Sequence, residues 1–281
     1  MHHCITPHTS IISARTDCVP RANGSQTLRL RSVRCLAWSC LFALSASAAP
    51  TEALERVATR RILFGHQSVG ANLVEGLAAL GAAHLVIKEG RDPGAFVTPA
   101  FVHTRVGRNE DPASKVADFE AALEAIGGRA DIALFKFCYV DFSATTDVDA
   151  LFGTYVAALQ RLHAKYPAVT FVHVTAPLTV VQSGPVAWLK RVLGKAPGGA
   201  RENAVRHHYN ELLRTRLAGE PLFDLAQAEA TKADGSLNTV ELDGEQVPAL
   251  VAAWSDDGQH LNGEGRARVA RALITRLGSI P

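Results

Sequence analysis

From residue 61 onward, short apolar runs alternate with stretches in which apolar residues recur at helical spacing. Arg61-Ile-Leu-Phe-Gly65, His84-Leu-Val-Ile-Lys88, Asp131-Ile-Ala-Leu-Phe-Lys-Phe137, Val169-Thr-Phe-Val-His-Val174 and Pro221-Leu-Phe-Asp-Leu225 read as strands. Helical periods lie between and after them: Asn72–Leu80, Lys115–Ile126, Asp149–Tyr166, Arg201–Leu217 and Arg266–Leu277. In the second, apolar residues fall at 116, 119, 122, 123 and 126. In the third, Leu151, Tyr155, Ala158, Leu159 and Leu162 share one face. Asn262 stands where an N-cap for the last helix belongs. Strands that alternate with helices predict one α/β domain over 49–281, with a parallel sheet of five strands covered on both faces.

Leu178 to Ala200 breaks the rhythm with Gly184-Pro185, Trp188-Leu-Lys-Arg-Val-Leu193 and Pro197-Gly-Gly199. It follows a strand's carboxyl end, the edge where open α/β sheets take ligands. It reads as a lid or substrate-contacting insertion, or else as a surface excursion with one short helix.

The first 48 residues differ from the rest. They hold five Arg, no Lys and one acid, Asp17, which leaves 24 basic against 26 acidic residues in 49–281. Arg29, Arg31 and Arg34 precede the apolar run Cys35–Leu44, and small residues follow to Ala49. That order predicts a secretory signal cleaved after Ala48, on a run too short to span a bilayer. A secreted or periplasmic product without stable membrane insertion follows. Four cysteines (4, 18, 35, 40) fall in this leader, so the mature part keeps Cys138 alone and has no internal disulfide. A near-neutral body, in a chain with 20% charged residues, does not look like a nucleic-acid-binding surface.

Two separated segments carry candidate chemistry. In Ile62-Leu-Phe-Gly-His-Gln-Ser-Val-Gly70 a serine sits at a strand-to-helix turn, where its hydroxyl meets the positive end of a helix. Taken alone, Ser68 suits a helix cap better. In Asp256-Asp257-Gly-Gln-His260-Leu-Asn262 a carboxylate lies three residues before a histidine. Asp257 can fix the tautomer of His260 and steady its positive form, and His260 can then take a proton from a serine hydroxyl. Taken alone, His260 equally suits a packed loop histidine.

Together these segments make the chain resemble the SGNH/GDSL hydrolases over about residues 61–277. In that family the nucleophilic serine follows the first strand and Asp-x-x-His precedes the last helix. Here the first block is Phe64-Gly-His-Gln-Ser68 rather than Gly-Asp-Ser, while Asp257-Gly-Gln-His260-Leu-Asn and the Gly263-x-Gly265 helix start match well. The resemblance implies a flavodoxin-like three-layer α/β/α sandwich and ester hydrolysis. Ser68, His260 and Asp257 would be catalytic, and no metal or organic cofactor would be needed. It assigns an oxyanion-binding N–H to Gly107, in Val106-Gly-Arg-Asn109. The family's oxyanion Asn falls on Val140 of Cys138-Tyr-Val-Asp141, which cannot donate, and Asn109 is the replacement expected.

Other residues complete the expected pocket. His66 adjoins Ser68. Lys136 interrupts an apolar strand and is expected to pair with Asp141 or Glu229, or to hold an anionic substrate. Cys138 is expected to be an inert thiol at the core's edge. The partner expected is a small-molecule or carbohydrate ester. The rival readings are a catalytically weak glycan-binding protein, for which Val140 speaks, and an O-acyltransferase using the same trio.

Overall fold

The computed structural model describes residues 45–81 and 84–281, with side chains from Thr51 onward. Residues 1–44 of the expected leader lie outside the described residues. The expected cleavage point falls in the first turn of the first helix, α1 (Ser45–Ala58).

The elements then run β1 (Arg61–His66), α2 (Ser68–Gly81), β2 (Ile87–Glu89), β3 (Ala100–Arg105), α3 (Pro112–Ala125), β4 (Ile132–Phe135) and α4 (Val148–Lys165). After these come β5 (Thr170–Val174), α5 (Gly184–Val192), α6 (Ala200–Arg216), β6 (Leu222–Phe223) and α7 (Leu225–Ala230). A hairpin of β7 (Thr239–Leu242) and β8 (Glu245–Pro248) precedes the last helix, α8 (Gly263–Gly278). The six-stranded sheet is parallel throughout, in the order β2-β3-β1-β4-β5-β6.

The sheet corrects the expected strand count from five to six. Without β2 the order is that of a flavodoxin-like sheet, so the added strand is an edge. The run at 84–88 contributes only Ile87 and Lys88 to the pairing there. The strand beside β1 is Ala100–Arg105, in register Arg61↔Ala100 through His66↔Arg105.

Successive side chains of each strand point to opposite faces. Ile62, Phe64, Leu134 and Val172 join one core, roofed by α1, α2 and α8. Leu63, Ala133, Phe135 and Phe171 join the other, with α3, α4 and α6. Helix α2 packs closely on α8: a Cβ at Gly76 would stand 2.5 Å from the Arg266 carbonyl oxygen. That contact fixes the helix that follows β1 against the helix that follows the Asp257/His260 turn.

The sheet reverses its winding between β1 and β4. Ligand crevices of open α/β sheets form at such a point, beyond the strands' carboxyl ends.

Candidate active site

Ser68 opens α2 at the exit of β1. Among the described residues, neither its hydroxyl nor its backbone N–H makes a hydrogen bond. One turn later, buried Asn72 accepts the Leu261 N–H with its side-chain oxygen at 3.1 Å. Residues four apart share a helix face, roughly 5–6 Å between Cβ atoms. The first turn of α2 therefore faces the segment that carries His260. The Asn72 side chain thus links α2 to the segment that carries His260.

The Asp257 turn is held from several sides. Its Oδ1 accepts the N–H groups of Gln259 (2.8 Å) and His260 (2.7 Å), and the Ser255 hydroxyl at 3.2 Å. Its Oδ2 lies 2.7 Å from His260 Nδ1. The His260 N–H, then its ring, hold the Asp257 carboxyl well below the usual carboxylate range. An ionised carboxylate only accepts, so the hydrogen on Nδ1 points at Asp257 and the neutral ring's acceptor nitrogen is Nε2. Tyr139 braces the ring edge-on at 5.8 Å between centroids and donates its hydroxyl to Gln259 Oε1 at 2.6 Å. No hydrogen bond joins the Ser68 hydroxyl to His260 among the described residues. Catalytic contacts are commonly loose without ligand.

The opposite rim departs from expectation. The Gly107 N–H is already donated to Asp118 Oδ2 at 2.8 Å, so it is not free for an oxyanion. Gly107 is required for a different reason. Its φ of 57° is left-handed, and a Cβ there would collide with the backbone of Lys115. Asp141 does not line a pocket: its side chain is wholly enclosed in an ion pair with Lys115 at 2.6 Å. Asp141 also accepts the N–H groups of Cys138 (2.6 Å) and Glu110 (3.0 Å), tying the loop after β4 to the loop after β3.

Asn109 lies exposed on that second loop, with its Oδ1 3.2 Å from Lys115 Nζ. An ammonium only donates, so the amide NH2 must point away from it, toward solvent. Val140 borders an open cleft of about 750 Å³, which also takes in Tyr139, Thr179, Glu202, Asp257 and Gln259.

His66 does not line the cleft either. It is 3% exposed beneath Gly70, with Nδ1 on the Gln67 carbonyl (2.9 Å) and Nε2 on His103 Nδ1 (3.0 Å). Burial pushes its imidazolium down to about 4, so His66 is a neutral, structural histidine that receives the Nδ1–H of His103. Lys136, fully buried, has no carboxylate partner among the described residues. It donates to the Phe137 carbonyl (3.1 Å) and approaches Cys138 Sγ (3.7 Å). The expected pairing with Asp141 fails because Lys115 takes that carboxylate. Glu229, the other expected partner, is also buried. Desolvation pushes it up to about 8 against the opposing pull of the Leu178 N–H and of Lys136.

Several supports carry no sequence signal strong enough to find them. Arg206 donates to the Tyr139 carbonyl (3.0 and 3.1 Å), to the Thr179 hydroxyl (3.1 Å) and to Asn203. The amides of Asn203 and Asn210 each grip both polar groups of one peptide position in the chain after β5, at Thr179 and Ala176. The alternation of apolar residues along α6 marks its buried face, but not that polar residues there would hold a cleft wall.

A flavodoxin-like α/β/α sandwich with a serine and an Asp-His pair at one sheet edge is the class that fold and site define. Solved structures of similar chain path include a protein of the G-D-S-L lipolytic family from Desulfitobacterium hafniense, at 7% identity, with 77% of this chain and 98% of that chain covered and a TM-score of 0.45. Another is a protein from Streptococcus pneumonia named as a platelet activating factor, at 14%, 82%, 92% and 0.46. A catalytic mutant of an acetylxylan esterase from Geobacillus stearothermophilus gives 17%, 78%, 94% and 0.39. No family model and no curated relative matches the chain. At such identities and scores, the chemistry has to be read from this chain's own side chains.

Proposed function

We propose that the chain is an exported serine esterase that removes a small acyl group from an alcohol or carbohydrate. Ser68 attacks the ester carbonyl. His260 Nε2 takes its proton and returns it to the leaving alcohol, while Asp257 steadies the imidazolium. Water then releases the acyl group by the reverse assistance. The negative charge of the tetrahedral intermediate falls on the Ser68 N–H at the positive start of α2, with the Asn109 amide as second donor. The observation that supports this reading is the Asp257–His260 contact of 2.7 Å, in a segment whose Leu261 N–H is held by Asn72, one turn of α2 after Ser68.

One observation favours a second reading. Gly107 has its N–H engaged and Val140 cannot donate, so both oxyanion donors that the resemblance implies are missing. A loss of that kind costs about 2.7–4 kcal/mol of barrier per donor. A glycan-binding protein with residual activity would tolerate it. Hydrolysis of p-nitrophenyl acetate by the wild type, abolished in Ser68→Ala, supports the esterase. Glycan affinity with no hydrolysis in the wild type supports the binder. Transfer to added sugar acceptors would move the reading to an acyltransferase.

A further inference from the structure

Helix α5 is built inside out. Five of the eight large apolar side chains that stand exposed among the described residues, Val186, Trp188, Leu189, Val192 and Leu193, fall within eight consecutive positions. At 3.6 residues per turn they sweep an arc of about 160°. Ala187 lies opposite and is fully buried, with Lys190 and Arg191 on either side of it. An ordinary surface helix does the reverse and turns its apolar stripe to the core. Trp188 alone is 64% exposed. Grouped exposure of this kind marks a contact surface rather than scatter.

The charge around this face says what it meets. From Ala176 to Arg201 there is no Asp or Glu, but there are four cations: Lys190, Arg191, Lys195 and Arg201. The rest of 49–281 carries an acidic excess. None of the four forms an ion pair among the described residues, although Glu241 and Asp243 of the β7–β8 hairpin share a depression with Arg191 and Lys195. A symmetric pair of copies joined through α5 would set these cations against themselves. An apolar arc with tryptophan, flanked by unpaired cations, suits the headgroup and upper acyl region of an anionic bilayer. At nine residues the helix is far too short to cross one, and no described helix is long and apolar enough to do so.

We propose that α5 and its basic flanks are a peripheral docking face for an anionic lipid surface. The excursion is closed at its base by the Gln182 N–H on the Gly198 carbonyl (2.9 Å), and both residues border the cleft. A chain docked through α5 would therefore hold its cleft within roughly one helix length, about 14 Å, of the lipid. The docking does not depend on the chemistry at Ser68 and is tested apart from it.

The test is hydrogen–deuterium exchange of the full chain, read peptide by peptide, with vesicles of pure phosphatidylcholine and with vesicles one-quarter phosphatidylglycerol. The expected result is slowed exchange over 184–195 only with the anionic vesicles. It should be lost in Trp188→Ser/Val192→Ser and weakened about tenfold or more in vesicle titrations of Arg191→Glu/Lys195→Glu. These side chains are exposed, so the variants keep the fold, which unchanged exchange in β1 and β4 checks. Protection confined to peptides before residue 49, or equal protection by both vesicle types, overturns the proposal. So does a dimer in sedimentation that Trp188→Ser disperses.

Discussion

The two rims of the cleft are built to different standards. On one, the turn of Ser255 to Asn262 is organised around a single exposed carboxylate: Asp257 takes two backbone N–H groups, a hydroxyl and an imidazole, and everything it holds orients one ring nitrogen. On the other, the loops after β3 and β4 are organised around a buried carboxylate. Asp141 takes a lysine and two N–H groups and exposes nothing. The first rim uses its polar groups to present a base. The second uses them to join two loops, and the donors a negative oxygen would need are consumed or replaced. A turn that presents a ring nitrogen and a buried staple thus use the same groups, and what separates them is whether one atom is left without a partner.

Changes at the first rim are expected to have the largest effect. His260→Ala should lower kcat by about four orders of magnitude or more, and Asp257→Asn by about four, with the fold intact by circular dichroism. A loss under tenfold in either variant would separate that rim from the chemistry.

Lys115→Met should act on stability instead. It leaves Asp141 buried beside two N–H groups without its cation, at a cost of about 3–5 kcal/mol in urea unfolding. A small change would mean that the two loops are held together by something else.

Two substitutions sharpen the oxyanion question. Asn109→Ala should lower kcat by roughly a hundredfold with KM little changed. Val140→Asn, which restores a donor at the cleft's edge, should raise kcat by roughly tenfold. Steady-state kinetics on one ester decides both, and no response to either would leave the Ser68 N–H as sole donor.

A further effect is a pH signature. Glu229 sits at about 8 in the folded chain against 4.5 as the ordinary value, so the native state keeps an extra proton between them. Its stabilising contribution is full below 4.5 and is lost as pH rises through 8. The melting temperature should fall over that window, and Glu229→Gln should flatten the fall. Asp257 has the opposite sign: its contribution is present above 3.8 and lost on acidification.

Much of the fold is legible in the sequence because buried parallel strands read as continuous apolar runs. Ile62–Phe64 and Ile132–Phe135 are such runs, and Phe171–Val174 is one but for His173, with helices of clear period between them. Strand β3 escapes because His103, Thr104 and Arg105 break its apolar character near the site, while the more apolar run at 84–88 belongs to a short edge. The β7–β8 hairpin does carry a local signal, Asp243-Gly244, both with positive φ, but its flanks alternate weakly.

The site divides the same way. Asp257 and His260 are three residues apart, so their pairing can be read locally. Lys115 meets Asp141 across 26 positions and Asn72 meets the Leu261 N–H across 189, and no spacing rule reaches that far. Lys136 shows how such a reading fails. A buried lysine needs compensation, and Asp141 in the loop just after the strand is a natural guess, but another lysine holds that acid.

The most direct test of the central claim is a covalent one. The full chain is treated with a fluorophosphonate, and the modified residue is located by peptide mass spectrometry. The account predicts one adduct, on Ser68, absent in Ser68→Ala and strongly slowed in His260→Ala. An adduct on another residue, or none under conditions that label a control serine esterase, would contradict it.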